Sequence, residues 1–216
     1  MHRKPASPVL GLALLLFAAV AAAASPQANA TENDLRIATF AGGCFWCVES
    51  DFDNVAGVVR TVSGYTGGPS KNPTYKQVTA GGSGHREAVQ IFYDPKKVTY
   101  ATLLEVFWRS VDPTDGGGQF CDRGESYGTA IFANSPEQKR LAEASKRKIE
   151  ASGVLKRRIV TPIETAGSFY PAEGYHQDYY EKNPVRYKFY RYRCGRDQRI
   201  RELWGDKAHF GIAKHK

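Results

Sequence analysis

The order of the apolar segments between residues 35 and 132 limits the fold of this 216-residue chain more than any other feature. Short β-rich runs and segments of helical periodicity follow one another in the order strand, helix, strand, strand, helix, strand. This is the order of a split βαβ unit, so we predict an α+β fold with a two-layer, ferredoxin-like core and a mixed or antiparallel sheet. The predicted strands are Leu35–Ala41, Val58–Tyr65, Glu87–Tyr93 and Tyr127–Phe132, and the predicted helices are Phe45–Asp53 and one that Thr99 caps and that runs to about Val111.

The C-terminal part of the sequence adds a helix, a strand and a tail. Ser135-Pro136 begins the helix with a cap and a proline at its first position, and a glycine follows its last turn. A last strand is expected at Arg158–Glu164. Beyond residue 167 the sequence is aromatic and basic, and we expect a long irregular tail with a short helix near Glu173–Lys182. Residues 31–216 are predicted to form one catalytic domain that includes this tail.

Residues 1–30 have the pattern of a secretory signal peptide. A basic start precedes an unbroken apolar run from Val9 to Ala24, which is short for a membrane span. Small residues offer cleavage after Ala24 or after Ala30, and an uncleaved anchor is the alternative. We therefore expect an exported protein, most simply periplasmic, without stable membrane insertion after cleavage.

The four cysteines are divided between a motif and two isolated positions. An exported chain would usually pair them in two structural disulfides. However, Gly43-Cys44-Phe45-Trp46-Cys47 follows a predicted strand and begins a predicted helix, where unpaired N–H groups favour a thiolate. Cys44 is therefore predicted to be a nucleophile. Cys121 and Cys194 lie outside any paired ligand motif, so no zinc or other metal site is predicted.

Glu87 lies in a predicted strand whose other residues are largely apolar. Desolvation in such a strand would raise the pKa of its carboxyl group and make it a proton donor near neutral pH. The alternative is an edge strand that turns Glu87 to water, where glutamate side chains usually lie. A second cluster, from Cys121 to Tyr127, brings together a thiol, an acid and a phenol, although its residue types are also common in turns.

Several segments together resemble the peptide methionine sulfoxide reductases of the A type. The resemblance covers about Thr39 to Pro184, and its many ordered matches make it more specific than a single C-x-x-C motif. It implies thiol-dependent reduction of the S epimer of methionine sulfoxide, free or in proteins, with no metal and no bound organic cofactor. The matching segments are Gly43–Trp46, Gly64–Gly68, Asn72–Tyr75, Gly84–Val89, Asp94–Pro95, Asp112–Pro113, Asp122 with Tyr127, Phe169–Tyr170 and Tyr175–Tyr179.

The resemblance implies roles for four residues that act on the sulfoxide group. Cys44 is similar to the nucleophile that attacks the sulfoxide sulfur. Glu87 is similar to the acid that protonates the departing oxygen. Tyr75 and Tyr127 match the hydroxyl groups that hydrogen-bond this oxygen, much as an oxyanion hole would.

Three further matches concern the substrate pocket. Phe45 and Trp46 match the walls that hold the S-methyl group, which an aromatic pocket favours over charged groups. Asp122 matches a carboxylate that helps to organise water and the nucleophile. Attack would leave methionine and a sulfenic acid on Cys44, and a second thiol would then condense with the sulfenic acid to a disulfide.

The second thiol is the point at which this chain departs from the family pattern. Many members have glycine where this chain has Cys47 and asparagine where it has Cys121, and many carry the resolving cysteine in a Gly-rich tail. By resemblance to those tail cysteines, Cys194 is the first candidate. Cys47 is the second, since it follows Cys44 by one helical turn. Cys121, next to Asp122, is the third.

The net charge of +8 and the basic aromatic run Tyr187–Arg201 allow other hypotheses. Binding of single-stranded nucleic acid is one, but an exported protein has little occasion for it, so no nucleic acid partner is predicted. A basic aromatic binding module would leave Cys44 dispensable. A C-x-x-C dithiol oxidoreductase would fit the motif but would not need Glu87, Tyr75 and Tyr127. We expect a monomer that takes its electrons from a thioredoxin-like reductant of the cell envelope.

Overall fold

The computed structural model describes residues 1–2 and 31–213. The predicted signal peptide therefore lies, apart from its first two residues, outside the described residues. Strands β1 to β8 are Arg36–Ala41, Val58–Thr66, Arg86–Tyr93, Gly118–Gln119, Asp122–Arg123, Ala130–Ala133, Ile163–Thr165 and Tyr170–Pro171. Helices α1 to α7 are Phe45–Asp53, Tyr75–Thr79, Tyr100–Trp108, Pro136–Ser152, Tyr179–Lys182, Pro184–Arg193 and Arg196–Trp204. Within the described ranges, no helix has both the length and the apolar character that crossing a bilayer requires.

The central sheet has six strands in the order β7-β6-β1-β3-β2-β8. Strand β3 pairs antiparallel with both β1 and β2, so it lies between the first two strands, as a split βαβ unit requires. Strand β6 is antiparallel to β1, whereas β7 is parallel to β6, which makes the sheet mixed. The predicted α+β fold with a ferredoxin-like core is confirmed.

Helices α1 and α3 share a core with the sheet at strand β1. The buried ring of Phe40 in β1 lies 5.5 Å from the ring of Phe52 in α1 and 4.9 Å from that of Phe107 in α3. Complete burial of such a side chain contributes roughly 1.5–3 kcal/mol to stability. This packing fixes α1 against the sheet and thereby fixes the residues at its N-terminus.

The expectation of an irregular tail is wrong, because residues 179–204 form three helices. Gly195, with φ 69°, makes the turn between α6 and α7. The tail is anchored on Asp51 of α1, whose two carboxylate oxygens lie 2.8 Å from Nη1 of Arg191 and 3.7 Å from Nη2 of Arg196. All three side chains are buried. Because arginines occupy buried positions of these helices, the apolar periodicity that normally reveals a helix is weak here.

Asp51→Asn should lower the free energy of unfolding by about 3 kcal/mol, because two buried guanidinium groups would lose the carboxylate that they share. Urea denaturation followed by circular dichroism measures this loss. The matched control is Glu137→Gln, which breaks an exposed ion pair with Arg140 and should leave the unfolding midpoint unchanged. Equal effects of the two substitutions would contradict the role assigned to Asp51 as the anchor of the tail.

Candidate active site

Cys44 lies at the junction between β1 and α1. Gly43 before it has φ 86°, and a Cβ at this position would lie 2.6 Å from Cβ of Gln119, so the turn requires glycine. Cys44 is the N-cap residue of α1, and its carbonyl oxygen accepts the N–H of Cys47 at 3.1 Å. Cys44 is only 6% exposed, so its sulfur lies below the surface.

Glu87, the second residue of β3, reaches the same junction. Its side chain is buried, and its Oε2 accepts the backbone N–H of Phe45 at 2.9 Å. The alternative of a water-facing edge strand is wrong, because β3 has a strand on either side. Burial raises the pKa of Glu87 to about 8. The carboxyl group is therefore largely protonated at pH 7 and can donate a proton.

Tyr75 and Tyr127 bring two phenol groups to Glu87 from separate elements. Tyr75 begins α2, a short helix that was not predicted, and its backbone N–H donates to Oε1 of Glu173 at 2.9 Å. Tyr127 lies in the 3-10 turn Glu125–Tyr127 before β6. The two hydroxyl groups are hydrogen-bonded to each other, and burial together with the nearby Glu87 raises the pKa of both. Both phenols therefore stay protonated and can act as donors.

Phe45 and Trp46 form an aromatic wall together with His176, in the loop before α5, and Tyr179, the first residue of α5. The indole ring of Trp46 stacks on Tyr179 with 3.7 Å between ring centroids. The ring of His176 lies 4.9 Å from that of Phe45 and 4.4 Å from that of Tyr75. An apolar methyl group can be held against this surface without losing contact with the nearby hydroxyl groups.

His176 is a structural member of the site to which the sequence assigned no role. It is buried, and its Nδ1 accepts the indole N–H of Trp46 at 3.1 Å. Burial lowers the pKa of His176, so the ring is neutral at pH 7 and remains an acceptor. The only sequence signal was its place in the matched segment Tyr175–Tyr179.

Asp122 approaches the site from β5 and is half-buried. Its Oδ2 accepts the hydroxyl hydrogen of Tyr190, a residue of tail helix α6. Burial raises the pKa of Asp122, and the hydrogen bond from Tyr190 and the charge of Arg196 oppose this rise. The structure thus brings Cys44, Glu87, both predicted tyrosines, Asp122 and the aromatic wall into one site.

The thiols of Cys44 and Cys47 are hydrogen-bonded to each other, so the protonation of one affects the pKa of the other. The hydrogen bond from Cys44 lowers the pKa of Cys47 to about 7, and the cations of Arg196 and Arg191 act in the same direction. Burial raises the pKa of Cys44, and the neighbouring Cys47 and Glu87 add to this rise. The helix N-terminus, which favours a thiolate at Cys44, is thus opposed by burial and by these neighbouring groups.

Cys121 and Cys194 form a disulfide, whereas Cys44 and Cys47 are free thiols. Of the two structural disulfides that an exported chain would usually form, the described residues therefore contain one. Of the three candidates for the resolving thiol, Cys47 is the one that lies as a free thiol against Cys44. Cys194, which the resemblance put first, is already bonded to Cys121.

Sequence comparisons relate this chain to the peptide methionine sulfoxide reductases. Residues 36–208 match the family model Peptide methionine sulfoxide reductase. The chain is 55% identical over 178 residues to peptide methionine sulfoxide reductase MsrA 2 of Rhizobium meliloti, covering 82% of this chain and 88% of that protein. It is 56% identical over 172 residues to MsrA of Bacillus subtilis, covering 80% of this chain and 97% of that protein.

Solved structures agree with these relatives. Methionine sulfoxide reductase A of Corynebacterium diphtheriae has a TM-score of 0.63 and 34% identity, covering 70% of this chain and 76% of that one. Reduced Mxr1 from Saccharomyces cerevisiae has a TM-score of 0.66 and 30% identity, covering 74% of this chain and 91% of that one. The chain therefore belongs to the peptide methionine sulfoxide reductases, oxidoreductases that reduce methionine sulfoxide with electrons from thiols.

Proposed function

We propose that this chain reduces the S epimer of methionine sulfoxide, free or in proteins, with Cys44 as the nucleophile and Glu87 as the acid. The observation that carries the proposal is the meeting of the Cys44 thiol, a protonated buried carboxyl group and two phenol donors beside an aromatic wall. This arrangement meets three chemical needs of a sulfoxide. Its oxygen needs a proton, its sulfur needs a nucleophile and its methyl group needs an apolar contact.

The proposed first step converts the sulfoxide and the Cys44 thiol into methionine and a Cys44 sulfenic acid. Glu87 gives its proton to the sulfoxide oxygen, while Tyr75 and Tyr127 donate hydrogen bonds to it. The proton of the Cys44 thiol passes to the Cys47 thiolate, and the Cys44 sulfur attacks the substrate sulfur. Attack forms an S–S bond between the two sulfurs. This bond breaks again as the protonated oxygen moves from the substrate sulfur to the Cys44 sulfur, so the S–O bond of the substrate is replaced by an S–OH group on Cys44. The substrate sulfur gains the two electrons that the Cys44 sulfur loses.

The proposed preference for one epimer follows from three fixed directions around the substrate sulfur. Its oxygen points to Glu87, its methyl group points to Phe45 and Trp46, and its open face meets Cys44. The remaining substituent must then point out of the site, and only one configuration at sulfur satisfies all four conditions. That this configuration is S rests on the family resemblance.

In the proposed second step, Cys47 resolves the sulfenic acid. Its sulfur attacks the Cys44 sulfur, a disulfide forms and the hydroxyl group leaves as water with the Cys47 proton. Two observations support Cys47 over Cys194 and Cys121: its hydrogen bond to Cys44, and a pKa of about 7 that makes a thiolate accessible at neutral pH. A thioredoxin-like dithiol would then reduce the Cys44–Cys47 disulfide.

Cys47→Ser should form one methionine per protein molecule without added thiol and then stop at the sulfenic acid. The nucleophile remains while the adjacent resolving thiol is lost, and this methionine should form more slowly than in wild type because the thiolate that takes the Cys44 proton is also missing. Dimedone labelling of Cys44 followed by mass spectrometry measures the trapped sulfenic acid. The double variant Cys121→Ser/Cys194→Ser is the control and should still form the Cys44–Cys47 disulfide. Dimedone labelling of the control instead of Cys47→Ser would show that the other pair resolves the intermediate.

Export and an envelope reductant also remain part of the proposal. They rest on the basic start, the apolar run and the small residues before positions 25 and 31. Accumulation of full-length chain in the cytoplasm of its own host would contradict this part. Such a result would leave the chemistry at Cys44 unaffected.

The experiment that tests the proposed function compares the separate S and R sulfoxides of an N-blocked methionine, with dithiothreitol as reductant. Reduction of insulin disulfides is run in parallel. We expect methionine from the S epimer alone. Turnover of the R epimer at a similar rate would contradict the stereochemistry, and insulin reduction without sulfoxide turnover would favour a dithiol oxidoreductase.

A further inference from the structure

Tyr190 belongs to the site although no sequence motif pointed to it. Its hydroxyl group donates a hydrogen bond to Oδ2 of Asp122, and its ring meets that of Trp46 edge-on with 5.8 Å between centroids. The neighbouring Phe189 and Tyr192 on the same helix are 67% and 81% exposed, so Tyr190 is the aromatic residue of this turn that faces inward. Tyr190 thus connects the tail to the segment that carries Asp122 and to the aromatic wall at Trp46.

The Cys121–Cys194 disulfide joins the same two elements covalently. Cys121 immediately precedes Asp122, and the N–H of Cys194 donates to the carbonyl oxygen of Tyr190 at 2.9 Å, one helical turn away. The bond spans 73 residues of sequence, so without it the loop and the tail helix are connected only by non-covalent contacts. The Sγ atom of Cys194 itself lies 3.7 Å from Oδ2 of Asp122.

We propose that Tyr190 is a further positioning residue of the sulfoxide site and that the Cys121–Cys194 disulfide holds it there. This inference rests on the function proposed above, because it concerns the same reaction. The hydroxyl group of Tyr190 lies within hydrogen-bonding reach of both the Asp122 carboxylate and the Cys44 sulfur. It can therefore orient the Asp122 carboxylate and donate a hydrogen bond to the thiolate that forms on Cys44 during attack.

The electrostatic surroundings agree with this role. Burial raises the pKa of Tyr190, so its hydroxyl group stays protonated across the working range. Its hydrogen bond opposes the rise that burial causes in the pKa of Cys44. The hydroxyl group should thus favour the ionised nucleophile, while the ring beside Trp46 closes the tail side of the methyl pocket. The two contributions can be separated by substitution.

Tyr190→Phe and Tyr190→Leu test the two contributions in single-turnover reactions without reductant. Tyr190→Phe keeps the ring, and we expect the rate constant to fall about tenfold, since a hydrogen bond to a charged group is lost. The rising limb of its pH profile should move to higher pH, and the half-saturating sulfoxide concentration should change less than about twofold. Tyr190→Leu should also raise that concentration. Tyr192→Phe, an exposed change on the same helix, is the control and should match wild type.

The part played by the disulfide is tested with Cys121→Ser/Cys194→Ser in the same reaction. We expect a slower rate constant and the same direction of shift in the pH profile as in Tyr190→Phe. Combining the three substitutions should add little to Tyr190→Phe alone, because both act through one hydroxyl group. A double variant with the wild-type rate constant and profile would overturn the role of the disulfide.

A Tyr190→Phe protein with the wild-type rate constant and pH profile would overturn the inference as a whole. Since this substitution removes one oxygen atom, its circular dichroism spectrum should match wild type, so a folding defect is easily recognised. Failure of the proposed function is a different result: the wild-type protein itself would then form no methionine from the S epimer.

Discussion

Cys44→Ser should lower methionine formation from the S sulfoxide by at least about 10⁴-fold. A serine hydroxyl is a far weaker nucleophile than a thiol, and it cannot take up oxygen as a sulfenic acid, so the first step loses its acceptor. The measurement is the amount of methionine formed with dithiothreitol in excess, with the R sulfoxide as a parallel substrate. We expect a large effect because Cys47, the other free thiol of the described site, acts on Cys44 and does not itself attack the sulfoxide.

Two controls make the result for Cys44→Ser decisive. The unfolding midpoint should be close to that of wild type, because the substitution replaces one buried atom. Cys47→Ser, which changes the other thiol of the pair, should still give one methionine per molecule. More than about 1% of wild-type turnover in Cys44→Ser would show that another residue is the nucleophile.

Glu87→Gln should slow the first step by about 10³-fold at pH 7, because the amide cannot give a proton to the sulfoxide oxygen. The pH profile gives the more specific signature. The folded-state pKa of Glu87 lies near 8, above the ordinary value of 4.5, so the acid form is present below pH 8 and is lost above it. The Cys44–Cys47 pair loses its first proton near pH 7. The rate of the first step in wild type should therefore have a bell-shaped pH profile that rises through about pH 7 and falls through about pH 8. Glu87→Gln should lose the falling limb.

Glu49→Gln is a matched control for the pH profile. Glu49 is also buried, and burial raises its pKa to about 8, but it lies on α1 with its Oε2 accepting the N–H of Asp178. The falling limb should persist in this variant. If Glu49→Gln lost the falling limb and Glu87→Gln kept it, the falling limb would report the titration of Glu49. Glu87 would then not be the proton donor.

The position of Glu87 shows how far the sequence could be taken. Residue statistics favoured a water-facing glutamate, yet the predicted split βαβ order already implied a strand flanked on both sides. The fold prediction and the residue-level prior disagreed, and the fold prediction was right. Cys44, Tyr75, Tyr127, Asp122, Phe45 and Trp46 were found because short ordered motifs resemble those of a known family. His176 and Tyr190 were given no role, because only the folded structure brings them to the site.

The electrostatics of the site could not be predicted from local sequence. The hydrogen bond from Cys44 lowers the pKa of Cys47, and so do the cations of Arg196 and Arg191, which lie far along the chain. Those arginines also conceal the tail helices, since buried charged residues break the apolar pattern by which helices are recognised. Disulfide connectivity has the same limit: the spacing of Cys121 and Cys194 does not indicate that they pair.

The most direct test is a single turnover with the S sulfoxide and no added thiol, followed by peptide mapping under non-reducing conditions. The protein used has free thiols at Cys44 and Cys47 and an intact Cys121–Cys194 disulfide. We expect one methionine per molecule and a tryptic peptide of residues 37–60 that has lost two hydrogens, because Cys44 and Cys47 lie in the same peptide. The Cys121–Cys194 crosslink should be present before and after. No methionine, or a new crosslink between Cys44 and Cys194, would contradict this expectation.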